Sequence, residues 1–309
     1  MIKKYDYKGL AWIDVENPSD SDINEIVSNY SLPIETSEEM LSPTPRQRVV
    51  RYDNCVYIVL HFPTLKPQKA KVDNVNDHRQ EIDFIVGKDF LITVHYDPVR
   101  SIDEFKETFK DDGGSETDLV EDNAGFIFHK LIKHLYHSLL RDVGIIKASL
   151  HKAESSIFKG EEKRMVIELS KIHRDILRFN NALISHREAI ATLNTTFRDF
   201  FGEGYGHFIH DMSSEYQRVD RRMQNNRDLL DELRHTNDSL LSAKQNEAMK
   251  GLTMMGFLTF PMMLIAAIFS MNTADMPIVS HPYGFWIILS IMLLVAIGCI
   301  EFFSYKKWL

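Results

Sequence analysis

Two long uncharged runs near the C-terminal end restrict what this chain can fold into. The first, LTMMGFLTFPMMLIAAIFSM at 252–271, follows Lys250-Gly251; the second occupies 283–300, after a polar link at 272–282. Each is about twenty residues, and a helix of that length at ~1.5 Å rise per residue crosses a hydrocarbon layer of ~30 Å. A helix in the core of a soluble protein keeps a polar stripe, and neither run has one. A transmembrane hairpin is therefore expected, and the residues before it must be read as something attached to a membrane.

The soluble portion, residues 1–250, carries nearly all of the charge. The net charge of −8 gives no support for nucleic-acid binding. It is compatible with cation binding, although many cytosolic proteins are equally acidic. Met1-Ile2-Lys3-Lys4 leads into Tyr5-Asp6-Tyr7-Lys8 rather than an apolar segment, so no signal peptide is read there. The two cysteines, Cys55 in the soluble part and Cys299 in the second run, cannot easily meet. No disulfide framework follows, which fits a reducing cytoplasm. Lys244 and Lys250 precede the first run, Lys306-Lys307 follow the second, and the link between them holds no Lys or Arg. The positive-inside rule then puts both termini in the cytoplasm and 272–282 outside, with Trp286 and Trp308 at the two interfaces.

Residues 1–120 read as a cytoplasmic α/β domain. Leu10-Ala11-Trp12-Ile13-Asp14-Val15 is strand-like and stops at Asn17-Pro18, where Ser19, Asp20 and Asp22 signal a helix start. Residues 48–52 and 55–60 are two strands about the turn pair Asp53-Asn54, and 81–86 with 90–94 form a hairpin about Gly87-Lys88-Asp89. From 121 to 205 the pattern is helical: one helix from 124 to about 158, a break at Lys159-Gly160, and a second from 161 to about 201. After the glycine-rich break at 202–206, a third helix shows no Gly or Pro until Gly251 and continues without a stop into the first run, giving a stalk at 206–271. A helix of ~65 residues spans ~95 Å and needs partners alongside. The link at 272–282, a second span at 283–303 and a basic tail at 304–309 complete the order.

Pro261 stands inside the first span, where it removes one backbone hydrogen bond and is expected to bend or loosen the helix. Asn246, Met249, Thr253, Gly256, Phe260, Met263, Ala267 and Ser270 recur at steps of three or four and share one face. That stripe either packs on the second span or lines an axis between several copies, because two spans per chain cannot enclose a water-filled path. Being largely apolar, it suits a gate that closes by dewetting. Ser270-Met271-Asn272 falls where the first span meets the outside. Copies of it around an axis would form a ring of neutral oxygens able to hold the water shell of Mg²⁺, which dehydrates reluctantly; the alternative is that Asn272 caps the helix. His129, His134, His137 and His151 lie on one helical region. His134 and His137 have a spacing that can chelate zinc, but no further ligands stand at matching spacing, so ordinary surface histidines are expected.

The stretch at 246–253, Pro261, Ser270-Met271-Asn272, Met276-Pro277 and the ending at 305–309 resemble the membrane end of the CorA magnesium-transporter family. The segment at 81–95 is similar to that family's cytoplasmic hairpin, and the resemblance spans nearly the whole chain. It implies an α/β cytoplasmic domain followed by long stalk helices and two transmembrane helices, assembled as a homopentameric funnel with a central pore. It implies that Asn272 holds the hydrated ion, that Asn246 forms an inner polar ring, and that Leu252 and Phe260 make the hydrophobic neck. Asp211 matches by spacing an acidic residue that helps hold regulatory Mg²⁺ between subunits; an ordinary solvated charge is the alternative, and Asp73, Asp77 and Glu81 are its open partners. Three positions depart from the family. Ser270 replaces the glycine of Gly-Met-Asn, and serine makes left-handed torsions costly. Met263 stands where a threonine is frequent, and Phe260 is bulkier than usual.

The resulting expectation is a divalent-cation channel of the CorA type in a bacterial-type inner membrane, importing Mg²⁺ and closed by cytoplasmic Mg²⁺. Its expected partners are copies of itself, lipid and divalent cations. A Zn²⁺, Ni²⁺ or Co²⁺ transporter, an exporter, and a non-conducting membrane sensor or scaffold are the alternatives. No phosphate-binding glycine loop, nucleophile elbow or metal-hydrolase helix motif supports an enzyme.

Overall fold

The structure, a computed structural model, describes residues 2–7, 9–65, 79–111, 123–271, 278 and 281–306. It divides into two compact units, Met1–Arg234 and His235–Leu309.

The first unit is built on a six-stranded sheet in the order β1-β2-β6-β5-β4-β3. The strands are β1 (Ile2–Tyr7), β2 (Leu10–Glu16), β3 (Arg48–Arg51), β4 (Val56–Pro63), β5 (Arg79–Val86) and β6 (Phe90–His95). All neighbours are antiparallel except β2 and β6, which run parallel. Both hairpins read from sequence are present. Strand β1 was not read, because its lysines and aspartate lack an apolar alternation; charges of that kind suit an edge strand. Helix α1 (Asp20–Tyr30) begins as its sequence signals. Ser19 caps it in a capping box in which the Asp22 backbone N–H donates to the Ser19 hydroxyl and Asp22 accepts from the Ser19 backbone. Two short helices also escaped the sequence reading, α2 (Glu35–Met40) and α3 (Arg100–Asp111).

Because side chains alternate along a strand, β2, β4, β5 and β6 feed two cores. On one face Ile13, Val15, Tyr57, Val59, Ile85 and Ile92 pack with Ile23 and Ile26 of α1 and Met40 of α2. The other face meets two long helices, α4 (Ala124–Phe158) and α5 (Glu162–Phe201). There Phe128 lies edge-on to Phe84 at 5.3 Å and against Phe197 at 5.4 Å. Helix α6 (Gly206–Phe269) follows a single turn of 3₁₀ helix. Up to Leu233 a row of its buried residues recurs every three or four positions, at Ile209, Met212, Tyr216, Val219, Met223, Asn226, Leu230 and Leu233, with Phe208 and Glu215 buried beside it. That spacing is a coiled-coil seam, here with a polar member: Asn226 donates to the Val143 carbonyl of α4 at 3.0 Å.

The second unit contains the remainder of α6 and helix α7 (Gly284–Tyr305). Both are long and apolar enough to cross a membrane; none of the apolar window of α6, and 6 % of that of α7, is buried within the chain. The expected fold class, an α/β domain followed by long helices and two apolar C-terminal helices, is what the structure has.

Candidate functional site

In the apolar part of α6 the better-covered side chains include Met254, Leu258, Pro261, Ile265 and Phe269; in α7 they include Ile288, Met292, Val295, Cys299 and Phe303. Each set recurs at three or four residues and forms one face. Phe257 meets Phe303 edge-on at 6.2 Å beside this seam. The stripe read from sequence turns elsewhere. Asn246, Met249, Leu252, Phe260, Met263, Ala267 and Ser270 are all exposed, Phe260 at 70 %. Thr253 and Gly256 are half-covered and join Leu252, Phe257, Phe260, Pro261 and Leu264 around a shallow apolar groove. At 100° per residue the stripe centres nearly opposite the face that α7 covers, so the two spans of one chain do not pack through it.

Pro261 leaves α6 continuous rather than ending it. Proline has no N–H for the carbonyl four residues back, which is that of Phe257. The Cys299 thiol of α7 points at this carbonyl, with Sγ 3.8 Å from the oxygen. Sequence reasoning weighed Cys299 only as a disulfide partner; the signal that could have found it is the need of the Phe257 carbonyl for a donor. At the outer end, Ser270 N–H donates to the Ala266 and Ala267 carbonyls and Met271 N–H to that of Ile268. Among the described residues the non-glycine positions of positive φ are Asn17, Ser31 and Ile278. Ser270 thus continues the helical turn, and the left-handed strain expected of a serine here does not arise. Asn272 lies outside the described residues.

Asp211, near the start of α6, is bound within its own chain. Its Oδ2 accepts from His129 Nε2 and from Lys133 Nζ, each at 2.9 Å. Those donors sit four residues apart on α4 and therefore on one face. Burial works against ionisation of Asp211, but the hydrogen bonds from Lys133 and His129 outweigh it and hold the carboxyl below the usual carboxylate range. For His129, burial dominates and pushes the imidazole below its ordinary value despite Asp211. His129 is not a surface histidine: it is buried, with its ring 4.9 Å from that of Phe208. His134 lies 5.6 Å from the Phe105 ring, while His137 reaches Glu215 at 3.3 Å. The α4–α6 seam turns His129 inward and α3 half-covers His134, whereas His137 and His151 are exposed as expected.

Of the three carboxylates considered beside Asp211, Asp73 and Asp77 lie outside the described residues. Glu81 is committed to the sheet interior, accepting from the Thr44 N–H at 2.8 Å and from His61 at 2.9 Å. Among the described residues no three or more His, Cys, Asp or Glu side chains gather as a metal site. One carboxylate already paired with an ammonium does not suit a divalent cation, which takes several oxygens. Within one chain, then, the donors around Asp211 do not fit a regulatory Mg²⁺.

Residues 7–307 match the family model described as CorA-like Mg2+ transporter protein. The cobalt/magnesium transport protein CorA of Methanocaldococcus jannaschii is 20 % identical over 314 residues, covering 98 % of this chain and 92 % of its own. The magnesium transport protein CorA of Wolinella succinogenes is 24 % identical over 309 residues, covering 97 % and 91 %. The complete structure of the Methanocaldococcus jannaschii CorA magnesium transporter superposes with a TM-score of 0.82 at 17 % identity, covering 99 % of this chain and 93 % of that one. At that identity the superposition establishes the fold.

Proposed function

The chain belongs to the CorA-like Mg2+ transporter protein family, and from that premise we propose that it is a passive divalent-cation channel importing Mg²⁺ as a homopentamer, in a bacterial-type inner membrane with both termini cytoplasmic. The observation that carries this reading is the exposed stripe of α6 on the side that α7 leaves uncovered. Two helices enclose no path, so a conduit requires several copies, and the open face of α6 is the surface available to line it.

In this arrangement Asn272 carboxamides, with carbonyls of Ser270 and Met271, hold the hydrated ion at the outer mouth. Neutral oxygens suit a cation that keeps its water shell. Below them the side chains of Met263, Phe260 and Leu252, with the bare backbone of Gly256 between them, form a neck that closes by dewetting, and Asn246 offers an inner polar ring. The membrane potential drives entry, at ~2.3 kcal/mol per charge per 100 mV and twice that for a divalent ion. Uptake of Mg²⁺ into depleted liposomes tests the proposal. The native protein should conduct and Asn272→Ala should reduce uptake at least about tenfold; absence of uptake by the native protein would sink it. Competition by Co²⁺, Ni²⁺ and Zn²⁺ in the same assay identifies the preferred ion.

Regulation at Asp211 is a separate proposal. A cytoplasmic Mg²⁺ ion bound there has to displace Lys133 and take further oxygens from a neighbouring subunit. Phe260 favours one second reading, a non-conducting sensor, because its ring stands in the neck. Single-channel recording of Phe260→Ala and Ser270→Gly separates the two: conductance in the variants alone would assign the native chain to the sensor.

A further inference from the structure

A cleft in the first unit lies beside the edge strand β3. Strand β3 pairs with β4 only from Val56 to Val59, so the part of β4 from Leu60 onward has no β3 neighbour. In that space the cleft encloses about 320 Å³ between residues 45–49, His61, Arg79 at the start of β5, and one face of α5 at 181–192. Its walls are tied together: Gln47 Nε2 donates to the Ala182 carbonyl at 3.0 Å, fixing the approach to β3 against α5.

The charges of this cleft run against those of the chain. The protein carries a net −8, yet the lining holds Arg46, Arg48 and Arg79 with Glu188 as its carboxylate, and Glu39 pairs with Arg48 from outside the lining. Arg48 is held in place by Glu39 and by the Tyr57 ring, whose centroid lies 5.6 Å from its guanidinium carbon. Arg46 is exposed and makes no ion pair with any described residue. Asn181 and Ser185 add neutral polar groups from α5. Guanidinium forks match phosphate oxygens in pairs, which an ammonium cannot do. The volume falls at the small end of ligand pockets, ~300–1,000 Å³. It is about ten times the ~30 Å³ share of one water, so inorganic phosphate alone would leave most of it unfilled.

We propose that this cleft binds a phosphate-bearing metabolite of nucleotide size, with its phosphates at Arg46 and Arg48 and its polar remainder along Asn181 and Ser185. Binding there needs no transport to be detected. Isothermal titration of the full-length protein in detergent, with ADP in low-salt buffer containing EDTA, tests it; adenosine and inorganic phosphate serve as separate ligands. ADP should bind saturably at one site per chain, with adenosine silent. Arg46→Ala should weaken binding about tenfold, the loss expected for one charge-assisted contact, with an unchanged melting curve because Arg46 is exposed. Glu188→Gln should tighten it severalfold by removing the opposing charge. No saturable heat with millimolar ADP, equal affinity in Arg46→Ala, or inorganic phosphate binding as tightly as ADP would each overturn the assignment.

Discussion

His186, fully buried on α5, donates from Nε2 to the His61 carbonyl at 3.0 Å and accepts the Tyr136 hydroxyl at Nδ1, 2.9 Å away. Both ring nitrogens are satisfied only in the neutral form, and burial pushes the imidazole down to about 4. The unfolded chain titrates near ~6.5. Its contribution to stability is therefore complete above that value and is lost as pH falls toward 4, by an amount on the order of 3 kcal/mol. Thermal melts from pH 7 to 4.5 should show the loss, and His186→Gln should flatten it; an unaltered pH profile in that variant would reject the assignment. At Asp211, Lys133→Ala removes the cation that a divalent ion must displace. The stability cost should stay below about 1 kcal/mol, because the pair is partly exposed. The Mg²⁺ concentration that halves liposome uptake should fall severalfold, and no change in it would detach Asp211 from regulation.

Helix α6 passes through Pro261 without stopping, and the Cys299 thiol of α7 faces the stranded Phe257 carbonyl. A thiol is a weak donor, and interhelical hydrogen bonds in membranes average ~0.6 kcal/mol. Cys299→Ala should therefore loosen the hairpin by roughly 0.5–1 kcal/mol and Cys299→Ser should preserve it. In Pro261→Ala the backbone N–H returns to that carbonyl, so Cys299→Ala should then cost almost nothing. A double-mutant cycle on detergent unfolding reads the difference, and additive effects would show that the thiol does not serve the carbonyl.

Across the whole molecule the two units have opposite needs. The first buries its apolar side chains against its own sheet and helices, whereas the second leaves large apolar residues of α6 and α7 exposed. Lipid can satisfy the outward side of such a hairpin, and in the proposed assembly the stripe opposite α7 meets further copies. Phe260→Cys should accordingly form disulfide-linked dimers in oxidised membranes, while Leu258→Cys, on the seam with α7, should not. The native thiols do not confuse the result, since Cys55 is buried and Cys299 faces Phe257. Crosslinking at 258 rather than 260 on a non-reducing gel would reverse the assignment of faces.

Local patterns in the sequence were enough for much of the framework. The uncharged runs marked both spans, β-branched alternation marked β2 to β6, and Ser19 with Asp22 marked the start of α1. Each of these signals is set by neighbours within a few residues, through backbone hydrogen bonding, side-chain periodicity or transfer of apolar surface from water. The edge strand β1 was not legible, because its charged residues carry little apolar alternation; helix α3 does carry a helical repeat, Ile102, Phe105 and Phe109, and the sequence reading missed it. The stripe on α6 was legible as a stripe, but periodicity could not say which face α7 covers. Nor could spacing along the chain reveal that Lys133 and His129 hydrogen-bond Asp211, that the Cys299 thiol faces the carbonyl Pro261 leaves unbonded, or that Arg46, Arg48 and Arg79 line one cleft. The contacts of Asp211 and Cys299 and the meeting of 46–48 with Arg79 join segments far apart in sequence, and only the packing of helix on helix and helix on sheet brings them together.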